Sequence, residues 1–322
     1  MNKSAQFILK VLKEKVYPKI GTPRQFPPLV YEKDQYKCRD VMNSVFERKE
    51  PCMVTRYGAT ELRVVLNYWG TLEKKHSYIK YIKGEQFAWW WQWGVLNQVK
   101  MWSGFFPTEP EYLERYAKLM MDDSQYIDVL GCMAPQEPLM KPYLKRDVER
   151  IRLRYIEPDF FAYDASKEWT QHLKGKKVLI IHPFTETIKK QYAKREKLFR
   201  DKNLLPEFEL LTIKAVQSLG GECEYSSWFE ALDWMKSEMD KLDYDVAIIG
   251  CGAYGLHLAA HAKRTGHIGI HMGGATQLLF GIIGKRWEDR DDYSQLINEY
   301  WCHPDGSEIP AVASKVEGGC YW

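Results

Sequence analysis

Lys177-Val178-Leu179-Ile180-Ile181-His182 is an unbroken apolar run, β-branched at three positions and bounded by Gly175 and Pro183. A strand with one wet face alternates; a run apolar throughout is expected to be covered on both sides, as in a parallel sheet. The chain downstream of Pro183 keeps that rhythm. Helical spacing covers residues 186–199 and 228–242, a second apolar run covers 244–249, and loop plus helix cover 250–263. A third strand is expected at 267–271 and a glycine-opened helix at 273–284. Alternation of this kind specifies an α/β fold, a Rossmann-like parallel sheet with helices on both faces. Upstream, residues 52–58 read as a short buried strand closing on Gly58. Residues 59–66 read as a helix with Glu61 in its first turn, where the helix dipole favours an acid. The aromatic-rich middle, about 85–170, parses poorly beyond a helix at 111–121 and a strand at 126–130. Residues 5–17 form a lysine-studded amphipathic helix, Pro18, Pro23, Pro27 and Pro28 mark an extended connection, and a further helix spans 37–48. The expected organisation is an N-terminal helical arm, 1–45, and one domain, 46–322.

With 45% hydrophobic residues in 322, the chain is rich enough to build a core, which excludes disorder over most of its length. Lys and Arg number 46 against 43 Asp and Glu, a balance that gives no footprint for nucleic acid. Seven scattered cysteines without a Cys-x-x-Cys pair argue against a zinc cluster or a disulfide framework and point to a reducing, cytoplasmic setting. No stretch reaches the roughly 18–20 apolar residues of a transmembrane segment, and lysines interrupt what would be a signal sequence. The N-terminal helix has two readings: peripheral contact with an anionic membrane, or docking on its own domain.

Three places carry chemistry. Gly250-Cys251-Gly252-Ala253-Tyr254-Gly255 is a literal G-x-G-x-x-G between an expected strand and helix, the setting in which free backbone N–H groups attract a pyrophosphate. A dinucleotide site also needs an acid about 20 residues on. Here the next strand ends His271-Met272-Gly273-Gly274, so NAD is not expected. The remaining readings are anion binding and tight strand–helix packing. The second place is His271 to Gln277, whose glycines open an adjacent strand end; His271 is either a ligand-facing group or a structural histidine. Lys285-Arg286-Trp287 beyond it pairs cations with an aromatic ring. The third is Arg56-Tyr57-Gly58-Ala59-Thr60-Glu61. There Arg56 can grip phosphate and Glu61 can serve as metal ligand or base, unless the two form an ion pair that ties the turn. His182 ends one more strand at the same rim, with Thr185 as the expected cap of the helix after it.

The segment Arg56 to Leu62 resembles the Arg-aromatic-Gly-Asp-Gly-Glu stretch of GT-D-type glycosyltransferases. The later segments 249–255 and 270–274, the run 281–287 and Gly318-Gly319-Cys320-Tyr321-Trp322 are similar to the GT-D-fold-like bacterial proteins. The resemblance implies transfer of a sugar from a nucleotide-diphosphate donor to a saccharide or glycoconjugate acceptor in surface glycan or polysaccharide synthesis. Gly58, Gly250, Gly252, Ala253, Tyr254, Gly255, His271, Gly273, Gly274, Gln277 and Lys285 would hold the donor. Arg56 and Glu61 would be catalytic, with Glu61 as ligand to Mn²⁺ or Mg²⁺. One departure bears on this: Ala59 stands where the family's Asp-x-Glu motif has its Asp, which weakens any metal site and leaves Glu186, Arg56 or Lys285 to assist. Trp89, Trp90, Trp91 and Trp93 with Phe105 and Phe106 would line an acceptor groove. The alternative is a non-catalytic nucleotide- or saccharide-binding protein of the same fold.

Overall fold

The computed structural model describes residues 2–219, 223–288, 290–310, 313, 319, 321 and 322. Its chain runs as a helix from Lys3–Val11 (α1) through a π turn, Leu12–Val16, to Tyr17–Ile20 (α2), then Gln35–Glu47 (α3). The first strand, Cys52–Thr55 (β1), leads into four helices: Ala59–Leu72 (α4), Tyr78–Ile82 (α5), Trp93–Ser103 (α6) and Pro110–Ser124 (α7). Next come Val129–Cys132 (β2), Glu149–Arg152 (β3) and Lys177–His182 (β4), then Thr185–Tyr192 (α8), Glu209–Lys214 (β5) and Trp228–Asp240 (α9). Val246–Ile249 (β6), Gly255–Arg264 (α10) and Ile268–His271 (β7) complete the frame.

The seven strands form one all-parallel sheet in the order β3-β2-β1-β7-β6-β4-β5. The period of two explains the unbroken apolar runs. In β4, Leu179 and Ile181 enter the core under α4, α6, α7, α9 and α10, while Val178 and Ile180 enter the core under α3 and α8; all four are fully buried. Each such side chain contributes roughly 1.5–3 kcal/mol relative to exposure.

The edges were hidden from the sequence. β3 reads Glu-Arg-Ile-Arg and buries only Ile151, and β5 is half-exposed. Charge on an edge strand blocks pairing with other chains, and it also removes the apolar signature. The strand expected at 126–130 begins later, at Val129. Asp128 instead turns its carboxylate back to accept the Met53 N–H at 2.7 Å, and Lys263 reaches the same oxygen. The helix expected over 186–199 stops at Tyr192 and resumes as a 3-10 turn, Arg195–Lys197; that over 273–284 is a 3-10 helix, Gly273–Phe280. Thr185 does not cap α8. The carboxylate of Glu308 does so from 122 residues away, accepting the N–H groups of Glu186 at 2.8 Å and Thr187 at 3.2 Å.

The N-terminal helix docks on its own chain. Leu9 is buried against Tyr81 and Ala88, and Lys13 lies 4.4 Å over the Tyr81 ring. Cys38, Met42, Val45 and Phe46 of α3 belong to the core on the α8 face of the sheet. Among the described residues no helix is long and apolar enough to cross a membrane, and six cysteines are free thiols; Cys320 and Gly318 lie outside the described residues.

Candidate functional site

The chain leaves β1 and β6 toward one face of the sheet, through α4 and α10. It leaves β4 and β7 toward the other, through α8 and the 3-10 helix at 273–280. Where neighbouring connections part to opposite faces, a crevice opens at the carboxyl ends of the strands. Here it is a cavity of about 880 Å³ that reaches the ends of all seven strands or the loops after them.

Arg56, Gly58 and Glu61 enter it from β1 and the start of α4. Gly58, the N-cap of α4, has no side chain, and the Glu61 carboxylate folds back into that space: a methyl on Gly58 would stand 1.8 Å from Oε2. Glu61 is thereby 9% exposed. Among the described residues no ion pair joins it to Arg56, whose Nε instead points at the Tyr57 carbonyl from 3.4 Å. The Arg56 guanidinium reaches across to β7, where its Nη1 and the Nε2 of His271 flank Gly273: a methyl there would lie 3.3 and 3.9 Å from them.

The glycines of the β6 loop serve packing as well as the cavity. A methyl on Gly250 would meet the Gly273 carbonyl and the His182 ring, each at 2.7 Å. The Gly250 N–H continues the sheet ladder by donating to Ile181. Gly252 takes φ +56°, a left-handed conformation that favours glycine. The ring of Tyr254 is stacked on Trp228 at 5.0 Å with its hydroxyl 2.7 Å from Ser218 Oγ.

Two histidines close the floor. His271 is 5% exposed, with Nδ1 3.0 Å from the Thr55 hydroxyl; burial, reinforced by the Arg56 charge, holds its pKa down to about 3. His182 accepts the Phe184 N–H on Nδ1 and burial lowers it to about 3 as well. Both are neutral, structurally engaged imidazoles. Gln277, also buried, donates to the carbonyls of Ile282 and Tyr321, which holds the Tyr321 ring over Gly274.

Arg56, Glu61, Gly58, Gly250, Gly252, Ala253, Tyr254, His271, Gly273, Gly274 and Gln277 therefore share one cavity. Gly255 and Lys285 do not line it. Gly255 is packed under the His271 ring, and Lys285 is an exposed residue past the 3-10 helix. Glu186, also outside, pairs with Lys189 at 2.8 Å. The expected aromatic acceptor groove is overturned for this cavity. Phe105 and Phe106 are core, and Trp89 and Trp90 pack around Tyr81 in the N-terminal cluster. Trp102, the penultimate residue of α6, is the tryptophan from this region that reaches the cavity.

The wall after β3 was not anticipated from the sequence. Arg154 Nη1 lies 3.1 Å from Glu157 Oε2, and the Tyr293 hydroxyl is 3.5 Å from the same oxygen. Burial pushes the Glu157 carboxyl up, against the pull of Arg154. Arg290 covers the Tyr293 ring at 4.7 Å while paired with Asp292. With Arg56, Arg152 and Arg286, five guanidinium groups face the cavity against three carboxylates. The signal was present in Arg152-Leu153-Arg154, but without the edge strand nothing aimed it.

A divalent ion here would have Glu61 as its carboxylate ligand and would need the substrate's phosphates for the rest of its shell. Among the described residues no group of three His, Cys, Asp or Glu side chains could hold a metal, and Ala59 leaves Glu61 as the lone carboxylate of its turn. Positive charge in the cavity comes from arginine. No family profile, no curated protein and no solved structure matches the chain.

Proposed function

We propose that the cavity binds a nucleoside-diphosphate sugar and that the protein transfers the sugar to a saccharide or glycoconjugate acceptor. The observation that carries this reading is the joint placement of Arg56, Glu61, both glycine loops and a ring of arginines and aromatics in one cavity at the carboxyl edge of a parallel sheet. Guanidinium groups suit a diphosphate, because their planar forks donate paired hydrogen bonds to its oxygens. Trp102, 40% exposed, lines the cavity and suits stacking on a base or a sugar ring, and Arg286 lies 4.4 Å over the Tyr321 ring. The sugar-transfer part of the reading rests on the resemblance of residues 56–62 to GT-D-type enzymes.

In the reaction, the bond between the sugar's anomeric carbon and the diphosphate oxygen breaks while the acceptor hydroxyl bonds to that carbon. Arg56 stabilises charge on the departing diphosphate, a task that a preorganised cation performs without reorganisation. Glu61 takes the acceptor's proton. The second reading, a binding protein without turnover, is favoured by Ala59. Release of nucleoside diphosphate from a panel of nucleotide sugars, with and without Mn²⁺, separates the two. Turnover abolished in Glu61→Gln supports the enzyme; nucleotide binding without turnover across donors and acceptors supports the binding protein.

A further inference from the structure

Positive charge is unevenly distributed. Residues 2–24 and 72–100 hold eleven Lys and Arg against three Asp and Glu, a surplus of eight in a chain whose total surplus is three; the remainder is net negative. These two segments are one structural unit. Leu9 packs on Tyr81, the Arg24 N–H donates to the Lys83 carbonyl at 3.0 Å, and Lys10 Nζ lies 3.9 Å from where a methyl on Gly94 would stand. The same unit displays large apolar side chains to solvent: Phe7 67%, Ile8 57%, Ile20 79%, Tyr78 59%, Ile79 67% and Trp93 72% exposed. Lys10, Lys15, Lys19 and Lys80 stand exposed among them.

We infer that this N-terminal platform is a docking surface for an anionic lipid bilayer, with α1 and α5 lying in the plane of the interface. The chemistry is that of an interfacial helix: lysines meet phosphate headgroups while Phe, Ile and Trp enter the boundary with the acyl chains. Trp and Tyr favour that depth, where one end of the ring is apolar and the other wet. The surplus charge argues for an anionic rather than a neutral surface, since polybasic segments are drawn to acidic headgroups. The exposed rings and aliphatic chains set it apart from a merely solvated basic face. In α6, Trp93 on the platform and Trp102 on the cavity wall are about 14 Å apart along the axis, so a docked protein would hold its cavity one helix length from the platform.

Vesicle sedimentation tests this with the full chain and independently of any catalytic activity. Vesicles of phosphatidylcholine with about 30 mol% phosphatidylglycerol should pellet the protein, and pure phosphatidylcholine should bind it about tenfold less. Raising salt from about 0.05 to about 0.5 M should weaken the binding further. The triple variant Phe7→Ser, Ile79→Ser, Trp93→Ser changes only exposed side chains, so it should melt like the parent yet lose about tenfold in partitioning. Lys10→Glu with Lys80→Glu should lose the preference for anionic lipid. Equal binding to both vesicle types, no effect of either variant, a lipid-independent dimer dispersed by the triple variant, or tighter binding to single-stranded RNA than to vesicles would each overturn the assignment.

Discussion

The His271 ring occupies the space that a side chain on Gly255 would need: a methyl there would lie 2.3 Å from its Cδ2 and Nε2. The first turn of α10 therefore sits directly on the end of β7, and the third glycine of the loop is required by packing rather than by a ligand. His271 also lines the cavity.

Gly255→Ala must displace a buried imidazole held at Thr55. Overpacking of this kind costs about 1–3 kcal/mol, seen as a lowered midpoint in urea. Gly306→Ala, where an added methyl meets nothing within 4 Å, should stay within about 0.5 kcal/mol of the parent.

Acid should destabilise the fold through its two neutral floor histidines. Unfolded imidazoles titrate near 6.5, whereas His182 and His271 do so at about 3 in the fold. Between those values the unfolded chain binds more protons. Stability is therefore complete above pH 6.5 and falls toward pH 3, by about 1.4 kcal/mol per pH unit for each histidine. Proton NMR should find the His182 and His271 imidazoles silent between pH 5 and 8, and titration of either ring in that window would refute the assignment.

Asp123 is fully buried between His257 Nδ1 at 2.8 Å and Arg264 Nη1 at 2.6 Å. Burial alone would raise its carboxyl, but these two partners hold it below the usual range. Asp123→Ala strands both partners and should cost about 3–5 kcal/mol in denaturant unfolding. A loss under about 1 kcal/mol would show the pair to be water-accessible in solution.

Arg56 and Glu61 should separate binding from turnover. Arg56→Gln removes the guanidinium beside Gly273 and should weaken nucleoside diphosphate by about 10–100-fold in calorimetry. Glu61→Gln keeps the shape of the turn; it should leave affinity within about twofold and abolish donor consumption. Equal affinity of the Arg56 variant and the parent would remove the diphosphate from this part of the cavity.

The central strands were legible because their residues are covered on both faces, as the runs at 177–182 and 246–249 show. β3 and β5 were not, since an edge strand keeps polar side chains in water and reads as loop. The same gap hid Arg154 and Glu157, which lead from β3 into the cavity. At the site, local motifs placed Arg56, Glu61, Gly250 and Gly273 at one sheet edge correctly. Nothing local could reveal that Glu308 caps α8, or that Trp89 and Trp90 turn toward the N-terminal helix, because both depend on partners far along the chain.

β7 joins two wings that share no other strand pairing among the described residues: β1 to β3 lie on one side of it and β4 to β6 on the other, with Ile270 registered against Val54 and Ile248 at once. The strand that unites them is the last of the seven in chain order, so the sheet can close only after the rest of its strands have been made. Without Ile268–His271 the inner edges of β1 and β6 have no strand partner, and unpaired edges are templates for pairing with other chains.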